Sequence, residues 1–281
     1  MASQARRQST VRALALSCHP VPTVGVTVIS AGLAALAGLG FGPAVAFTAA
    51  VFIGQLSIGW SNDWIDAARD RESGRSDKPV AGGSVAPRTV AAAAGIGLVL
   101  AVGVSMSLGW RAGSATSVQF VAGWLYNFGL KSTVLSWVPY AVGFGALPAG
   151  AVLARSEHPW PQWWAVAAGA VLGSAAHAAN VLPDLKADRA TGVRGLWHLL
   201  GARTTAIAGP VLLVVASAFV LLGPGRITGW KWSALAVIAV FAAGGLSVGL
   251  RNPDGRGLFA ATIALAGVDL LLFGLSGARL Y

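Results

Sequence analysis

A chain of 281 residues in which 55% are hydrophobic and only 11% charged has too little polar surface for a water-soluble domain. A membrane-spanning helix takes roughly 20 apolar residues, so about nine of them use about 180 positions and leave no room for a separate soluble domain. The net charge of +10, from 20 Lys and Arg against 10 acids, reads as topological in such a chain; no interleaved aromatic and basic motif accompanies it, so no nucleic-acid partner is expected.

Residues 1–18 read as a basic cytoplasmic tail and residues 19–281 as a single all-α membrane domain. A cleaved leader takes about 7–15 apolar residues before its cleavage site, and only a few precede Cys18, so neither Arg6-Arg7 nor Leu16-Ser17-Cys18 makes a convincing export or lipidation signal. Cys18 is the single cysteine, which excludes an internal disulfide framework and a cysteine-rich zinc site. His19, beside Pro20, marks the start of the first span.

Apolar runs bounded by charges, Pro or Gly follow at 20–40, 44–61, 88–109, 112–130, 134–154, 162–182, 203–223, 230–250 and 257–276, predicting a bundle of about nine transmembrane helices. The fourth run is the most polar, diluted by Ser114, Thr116, Ser117 and Gln119, but without it the charged loops fall on opposite sides. The 37 glycines include small-residue patterns such as Gly95-Ile96-Gly97 and Gly244-Gly245, which let helix backbones approach closely in a bilayer. An N-terminus inside places fifteen Lys and Arg in the cytoplasm and only five outside (Arg111, Arg155, Arg226, Lys231 and Arg279), the bias that sets orientation. Both long polar loops, about 62–87 and 183–202, then face the cytoplasm. The Arg-rich, Ala/Gly-rich composition points to a bacterial plasma membrane.

Seven of the ten acids fall in those two loops: Asp63, Asp66, Asp70, Glu72 and Asp77 in the first, Asp184 and Asp188 in the second. On a helix continuing from the second span, Asp63, Asp66 and Asp70 at i, i+3 and i+7 share one face, and Asn180, Asp184 and Asp188 repeat the pattern at i, i+4 and i+8. Two carboxylate stripes at matching ends of different spans repel unless something positive lies between them. Hard oxygen ligands in that number suit Mg²⁺, which binds through a few carboxylates, waters and substrate phosphates. Arg69, Arg71, Arg75, Lys78 and Lys186 lie beside them, and a magnesium-bridged diphosphate accounts for both signs of charge. Asn62 and Asn180, one ahead of each stripe, are placed to steady a carboxylate, touch a phosphate or cap the polar helix end.

Asn62-Asp63-x-x-Asp66-x-x-x-Asp70, followed by Arg75-Ser76-Asp77-Lys78-Pro79, resembles the first aspartate motif of the UbiA-type intramembrane prenyltransferases, and Asp184-x-x-x-Asp188 resembles their second. Both motifs, their separation of about 120 residues and the nine predicted spans cover most of the chain. The resemblance implies a helical bundle with a central cavity, capped on the cytoplasmic side by the aspartate loops. It also implies Mg²⁺-dependent transfer of an isoprenyl group from a prenyl diphosphate donor to a lipophilic acceptor, aromatic or a quinone precursor, with release of diphosphate. Carried over by motif, Asp63, Asp66, Asp70, Asp184 and Asp188 are the catalytic and metal-binding residues. Asn62, Arg75, Lys78, Tyr126, Lys131 and Asn180 are the diphosphate contacts, Tyr126-x-x-x-x-Lys131 resembling a Tyr/Lys element at the end of the fourth span. Lys78 stands where many relatives carry Arg, and so offers a phosphate a point charge without the bidentate fork.

Leaving-group ionisation produces an allylic cation, which requires a dry cavity and gains from aromatic faces. Trp60, Trp64, Trp124, Tyr126 and Phe128 lie near the motifs in sequence and are either such faces or packing aromatics. Gln55 and His177 are either contacts for a polar acceptor or interhelical hydrogen-bonding residues. Asp269, inside the ninth run toward the external half, reads as a structural hydrogen-bonding or protonated group, or else a pocket residue. His158 falls in an outside loop and His198 in the second cytoplasmic loop. No Gly-x-Ser-x-Gly elbow, Walker loop or His-Glu-x-x-His run is present. Two other readings remain open: a terpene cyclase, using the same diphosphate site without an external acceptor, and a transporter, since membrane carboxylates also carry ions.

Overall fold

The computed structural model describes residues 2–225, 228–252, 257–275 and 279–281, with side chains from residue 10 onward. Arg226 and Arg256, used above for orientation, lie outside the described residues. The described chain is helical throughout: α1 (Ala2–Ser17), α2 (Pro20–Leu36), α3 (Phe41–Ile65), α4 (Ala67–Glu72), α5 (Pro87–Met106), α6 (Trp110–Phe128), α7 (Val138–Leu153), α8 (Trp163–Val181), α9 (Leu185–Ala190), α10 (Leu196–Leu222), α11 (Gly229–Arg251) and α12 (Gly257–Leu275). Each of the nine apolar runs coincides with one of these helices.

Six of them (α3, α5, α8, α10, α11 and α12) are long and apolar enough to cross a bilayer, which makes this a multi-pass membrane protein; α1 and α2 together qualify as one span bent by 63°. α7 is apolar but shorter, and α6 carries the polar residues noted in its sequence. Proline punctuates the entries to α2, α5 and α7, where a missing N–H costs nothing and a fixed φ favours the first turn. α10 is kinked at Gly201, whose φ of 84° lies in the left-handed region.

Residues 1–18, expected as a tail, form a helix from Ala2 that docks on α3. Trp60 Nε1 donates to Leu14 O at 2.9 Å, and Ser17 Oγ donates to Asp63 at 2.8 Å. The break before α2 sits against Gly59, where a Cβ would lie 2.3 Å from Cys18 O. Only glycine admits that approach of α3 to the bend.

α3 and α6 run parallel in a constant register. Phe120 packs on Gly54, where a Cβ would fall 2.1 Å from the ring. Trp124 Nε1 donates to Ser57 Oγ at 3.0 Å, and Asn127 Nδ2 donates to Ser61 Oγ at 2.7 Å and Ile58 O at 3.0 Å. This pairing brings the acidic end of α3 beside the turn after α6. At the opposite end Arg155 donates to Ala37 O and lies 4.1 Å above the Tyr281 ring. Inside the bundle, Ser217 Oγ of α10 donates to Asp269 Oδ2 of α12 at 2.9 Å, while Asp269 Oδ1 is buried without a partner. Asp269 is thus an interhelical hydrogen-bonding residue that also lines a small apolar cavity.

Candidate active site

The last turn of α3 passes into α4 almost without a break, because Asp66 N–H reaches Asn62 O at 2.9 Å and Asp70 N–H reaches Asp66 O at 2.8 Å. Gly74, with φ 72°, then reverses the chain in the manner of a left-handed helix cap. That reversal folds Arg75 and Lys78 back over the carboxylates. The second motif is presented by the end of α8, a 3₁₀ turn at Leu182–Asp184, and α9.

The two motifs meet. Arg75 Nη1 lies 3.6 Å from Asp184 and its Nε lies 3.4 Å from the exposed Asp77, joining the first loop to the second. Burial disfavours the Arg75 charge, but Asp184 and Asp77 outweigh it, and its pKa is raised. Asp66 is the hub of the first motif: Lys131 Nζ pairs with Oδ1, while Arg69 at 2.8 Å and Asn62 Nδ2 at 3.1 Å take Oδ2. Lys78 Nζ lies 2.8 Å from Asp70 and 4.0 Å from Asp63. Lys131 is buried deeply enough that its pKa is lowered, Asp66 opposing the shift.

Asn62, Asp66, Asp70, Arg75, Lys78, Tyr126, Lys131, Asn180, Asp184 and Asp188 all line one cavity of about 250 Å³, together with apolar residues of α2, α3, α6, α7, α8 and α12. Asp63 alone of the candidates is turned away from it, toward Ser17 and Lys78. Asp188 accepts from His198 Nε2 at 3.1 Å, and Asn180 Nδ2 donates to the Tyr140 hydroxyl at 3.3 Å.

Spacing reveals none of the partners that arrive from distant elements. Asn127, bonded to Asn62 at 3.1 Å, Ser17 and His198 belong to this class, and only their placement at helix ends beside the motifs hinted at them. Of the five aromatics near the motifs in sequence, Tyr126 lines the cavity. Trp60 and Trp124 spend their indole N–H groups on Leu14 and Ser57, and Phe128 is 61% exposed on the outer face. Tyr140 and Phe144 of α7 and Phe259 of α12 complete the aromatic wall, Tyr140 lying 5.2 Å from Tyr126 edge-on and 6.4 Å from Phe144. Gln55 lines the cavity; His177 instead accepts from Trp197 Nε1 at 2.9 Å.

Among the described residues no three carboxylates, histidines or cysteines already converge on a single point as metal ligands, since lysines and arginines hold the carboxylates. The donor set nevertheless fits Mg²⁺. Asp66, Asp70, Asp184 and Asp188 offer oxygen alone and face one cavity; the first three are paired with flexible cations that a phosphate can take up, and Asp188 with His198. One buried oxygen, Asp70 Oδ2, touches Lys78 without hydrogen-bond geometry.

Residues 23–271 match the UbiA prenyltransferase family. The chain belongs to that family. No curated protein sequence matches it, whereas solved structures share its fold. A UbiA homologue from Archaeoglobus fulgidus bound to GPP and Mg²⁺ superposes with a TM-score of 0.72 at 14% identity, over 93% of this chain and 96% of that one. The apo UbiA homologue from Aeropyrum pernix K1 gives 0.71 at 18% identity, over 89% and 97%. A digeranylgeranylglyceryl phosphate synthase gives 0.65 at 14% identity, over 99% of each chain. At such identities the likeness is one of fold, and this UbiA member's residues carry the chemistry argued below.

Proposed function

We propose that this protein transfers an isoprenyl group from a prenyl diphosphate to a lipophilic acceptor, aromatic or a quinone precursor, with Mg²⁺ and release of diphosphate. The observation that carries the reading is the meeting of both aspartate motifs, through Arg75 and Asp184, at the polar end of a cavity walled elsewhere mainly by apolar and aromatic side chains. The A. fulgidus homologue bound to GPP and Mg²⁺ supports the same choice of donor and metal. Residues 19–281 act as one domain of nine spans, with residues 1–18 a basic N-terminal segment on the site's side. The excess of Lys and Arg at that side supports a cytoplasmic site, and the Arg-rich, Ala/Gly-rich composition supports a bacterial plasma membrane.

Asp66, Asp70, Asp184 and Asp188 hold the metal, with Asp63 completing the first motif from beneath Lys78. Bound there, Mg²⁺ supplies positive charge where the leaving diphosphate develops negative charge. Arg75, Lys78 and Lys131, paired with those carboxylates, are placed to pass to phosphate oxygens as donor and metal arrive. Asn62 and Asn180 orient the groups at the cavity mouth. The dry interior protects the allylic cation from water, and the Tyr126 and Tyr140 rings offer it electron-rich faces.

The test is diphosphate release by protein in nanodiscs, with prenyl diphosphates of several lengths, with and without Mg²⁺ and a panel of lipophilic acceptors, beside Asp66→Asn and Asp184→Asn. Release that requires both Mg²⁺ and an acceptor and vanishes in both variants is expected. Acceptor-independent release accompanied by a cyclic product would replace transfer by cyclisation. Ion flux without diphosphate consumption would replace it by transport.

A further inference from the structure

Gln119, a residue that only dilutes the apolar run of α6 in the sequence, is 4% exposed and lines the central cavity. Both its side-chain atoms, Nε2 and Oε1, are buried without a hydrogen-bond partner. A primary amide in that condition costs stability, because a donor pair and an acceptor are withheld from water with nothing in exchange. Such a group persists where a ligand completes it.

Its position selects the ligand. On α6 the residues 119, 123, 126 and 127 line the cavity, so Gln119 lies on the same face as Tyr126 but about 10 Å further from the carboxylates at 1.5 Å rise per residue. The Gly54–Phe120 contact sets Gln55 of α3 at the same level, and Gln55 lines the cavity too. Across from them, a Cβ on Gly143 would lie 3.6 Å from Gln119 Cγ. The amide stem therefore rests on α7 between Tyr140 and Phe144, the stacked aromatic pair. An isoprenoid tail has no polar atom to meet two amides, so the group they meet belongs to another molecule in the cavity.

Charge narrows it further. The Lys and Arg side chains lining the cavity, Arg69, Arg75, Lys78 and Lys131, are all paired with the aspartates at its polar end. No lysine or arginine among the described lining residues accompanies Gln119, so a carboxylate there lacks a counter-ion. A hydroxyl on an aromatic ring is uncharged, both donates and accepts, and lies flat against Tyr140 and Phe144.

We propose that Gln119, assisted by Gln55, recognises the neutral hydroxyl of a phenolic acceptor; the proposal rests on the transfer reading and supplies the acceptor class it leaves open. The amide grips the hydroxyl at the deep side of the ring and leaves a ring carbon toward the donor at the shallow side.

The test measures binding, in nanodiscs loaded with Mg²⁺ and a non-reactive prenyl thiodiphosphate, of a 3-alkylphenol, its methyl ether and the matching 3-alkylbenzoate. The native protein is expected to bind the phenol about tenfold more tightly than either analogue. Gln119→Leu and Gln119→Met are expected to weaken the phenol to the level of the ether and to leave the ether unchanged. Because the amide has no partner in the protein, both variants are expected to melt, without ligand, at or above the native temperature. A phenol preference that survives in both variants would overturn the proposal, and so would a fall in melting temperature in both, which would mark the amide as bonded within the bundle. Magnesium-dependent binding of the thiodiphosphate, and its loss in Asp66→Asn, report separately on the transfer reading. A phenol preference erased by Gln119→Leu in a protein that binds no thiodiphosphate would uphold the recognition role and refute transfer.

Discussion

Asp66 and Lys131 form a deeply buried ion pair, with side chains 6% and 9% exposed, and a double-mutant cycle on them separates folding from chemistry. Asp66→Asn leaves the Lys131 ammonium buried between Arg69 and Lys78 with no negative neighbour of equal standing. Removing one partner of a buried pair costs about 3–5 kcal/mol; the Asn carbonyl still accepts, so about 3 kcal/mol is expected here. Lys131→Met costs less, about 1–2 kcal/mol, because Asp66 keeps Arg69 and Asn62. In the double variant no stranded charge remains, so the total is expected near 1–2 kcal/mol rather than the sum, a coupling of about 3 kcal/mol. The measurement is reversible unfolding in mixed micelles with a chelator present, so that no divalent ion compensates the carboxylates. Diphosphate release is measured beside it with Mg²⁺ restored. Stability is expected to return in the double variant while activity does not, and additivity within about 0.5 kcal/mol would refute the hub assigned to Asp66.

Gly59→Ala drives a methyl to within 2.3 Å of the Cys18 carbonyl, so the α1–α2 bend must move, and a loss of about 1–3 kcal/mol is expected in the same unfolding assay. Ser217→Ala strips Asp269 of its hydrogen bond and is expected to cost about 1–3 kcal/mol, whereas the double change with Asp269→Leu recovers most of it; the readout is thermal unfolding in detergent. Tyr140→Phe keeps the ring and loses the hydroxyl that meets Asn180, so turnover at saturating donor is expected to fall only a few-fold. Tyr140→Leu removes the face offered to the cation, worth about 0.5–2 kcal/mol, and is expected to slow turnover by about 2–30-fold in a single-turnover assay.

The helices and the site were unequally visible in the sequence, for a physical reason. Nine apolar runs each become a helix because bilayer length and hydrophobicity are properties of contiguous residues. Even the polar fourth run is a helix. The carboxylates and their attendant cations were visible because α3 continues into α4 and keeps the helical period. What the period cannot convey is rotation against neighbours. Asp63 shares the helical face of Asp66 and Asp70, yet it meets Ser17 of a segment that reads as a tail. Proximity in sequence likewise misled on the aromatics: Phe128 follows Tyr126 by two residues, about 200° around a helix, and so faces outward, while Tyr140 and Phe144 come from α7.

The inward charges also explain how a cavity rich in acids can stand at the edge of a bilayer. Each buried carboxylate of the first motif has a cation within reach: Asp66 has Lys131 and Arg69, while Asp70 and Asp63 share Lys78. No member is desolvated alone, which would cost several kcal/mol per ion. A donor bringing a diphosphate and divalent metal together adds little net charge, so the same groups can exchange partners, carboxylate to metal and ammonium to phosphate, without stranding any of them. Arg75 makes that exchange cooperative between the loops, since its hold on Asp184 must loosen if its guanidinium is to reach a phosphate. Under the proposed transfer reaction, the bridge that ties the two motifs together in this structure is therefore also the contact whose release would couple donor binding to the second motif.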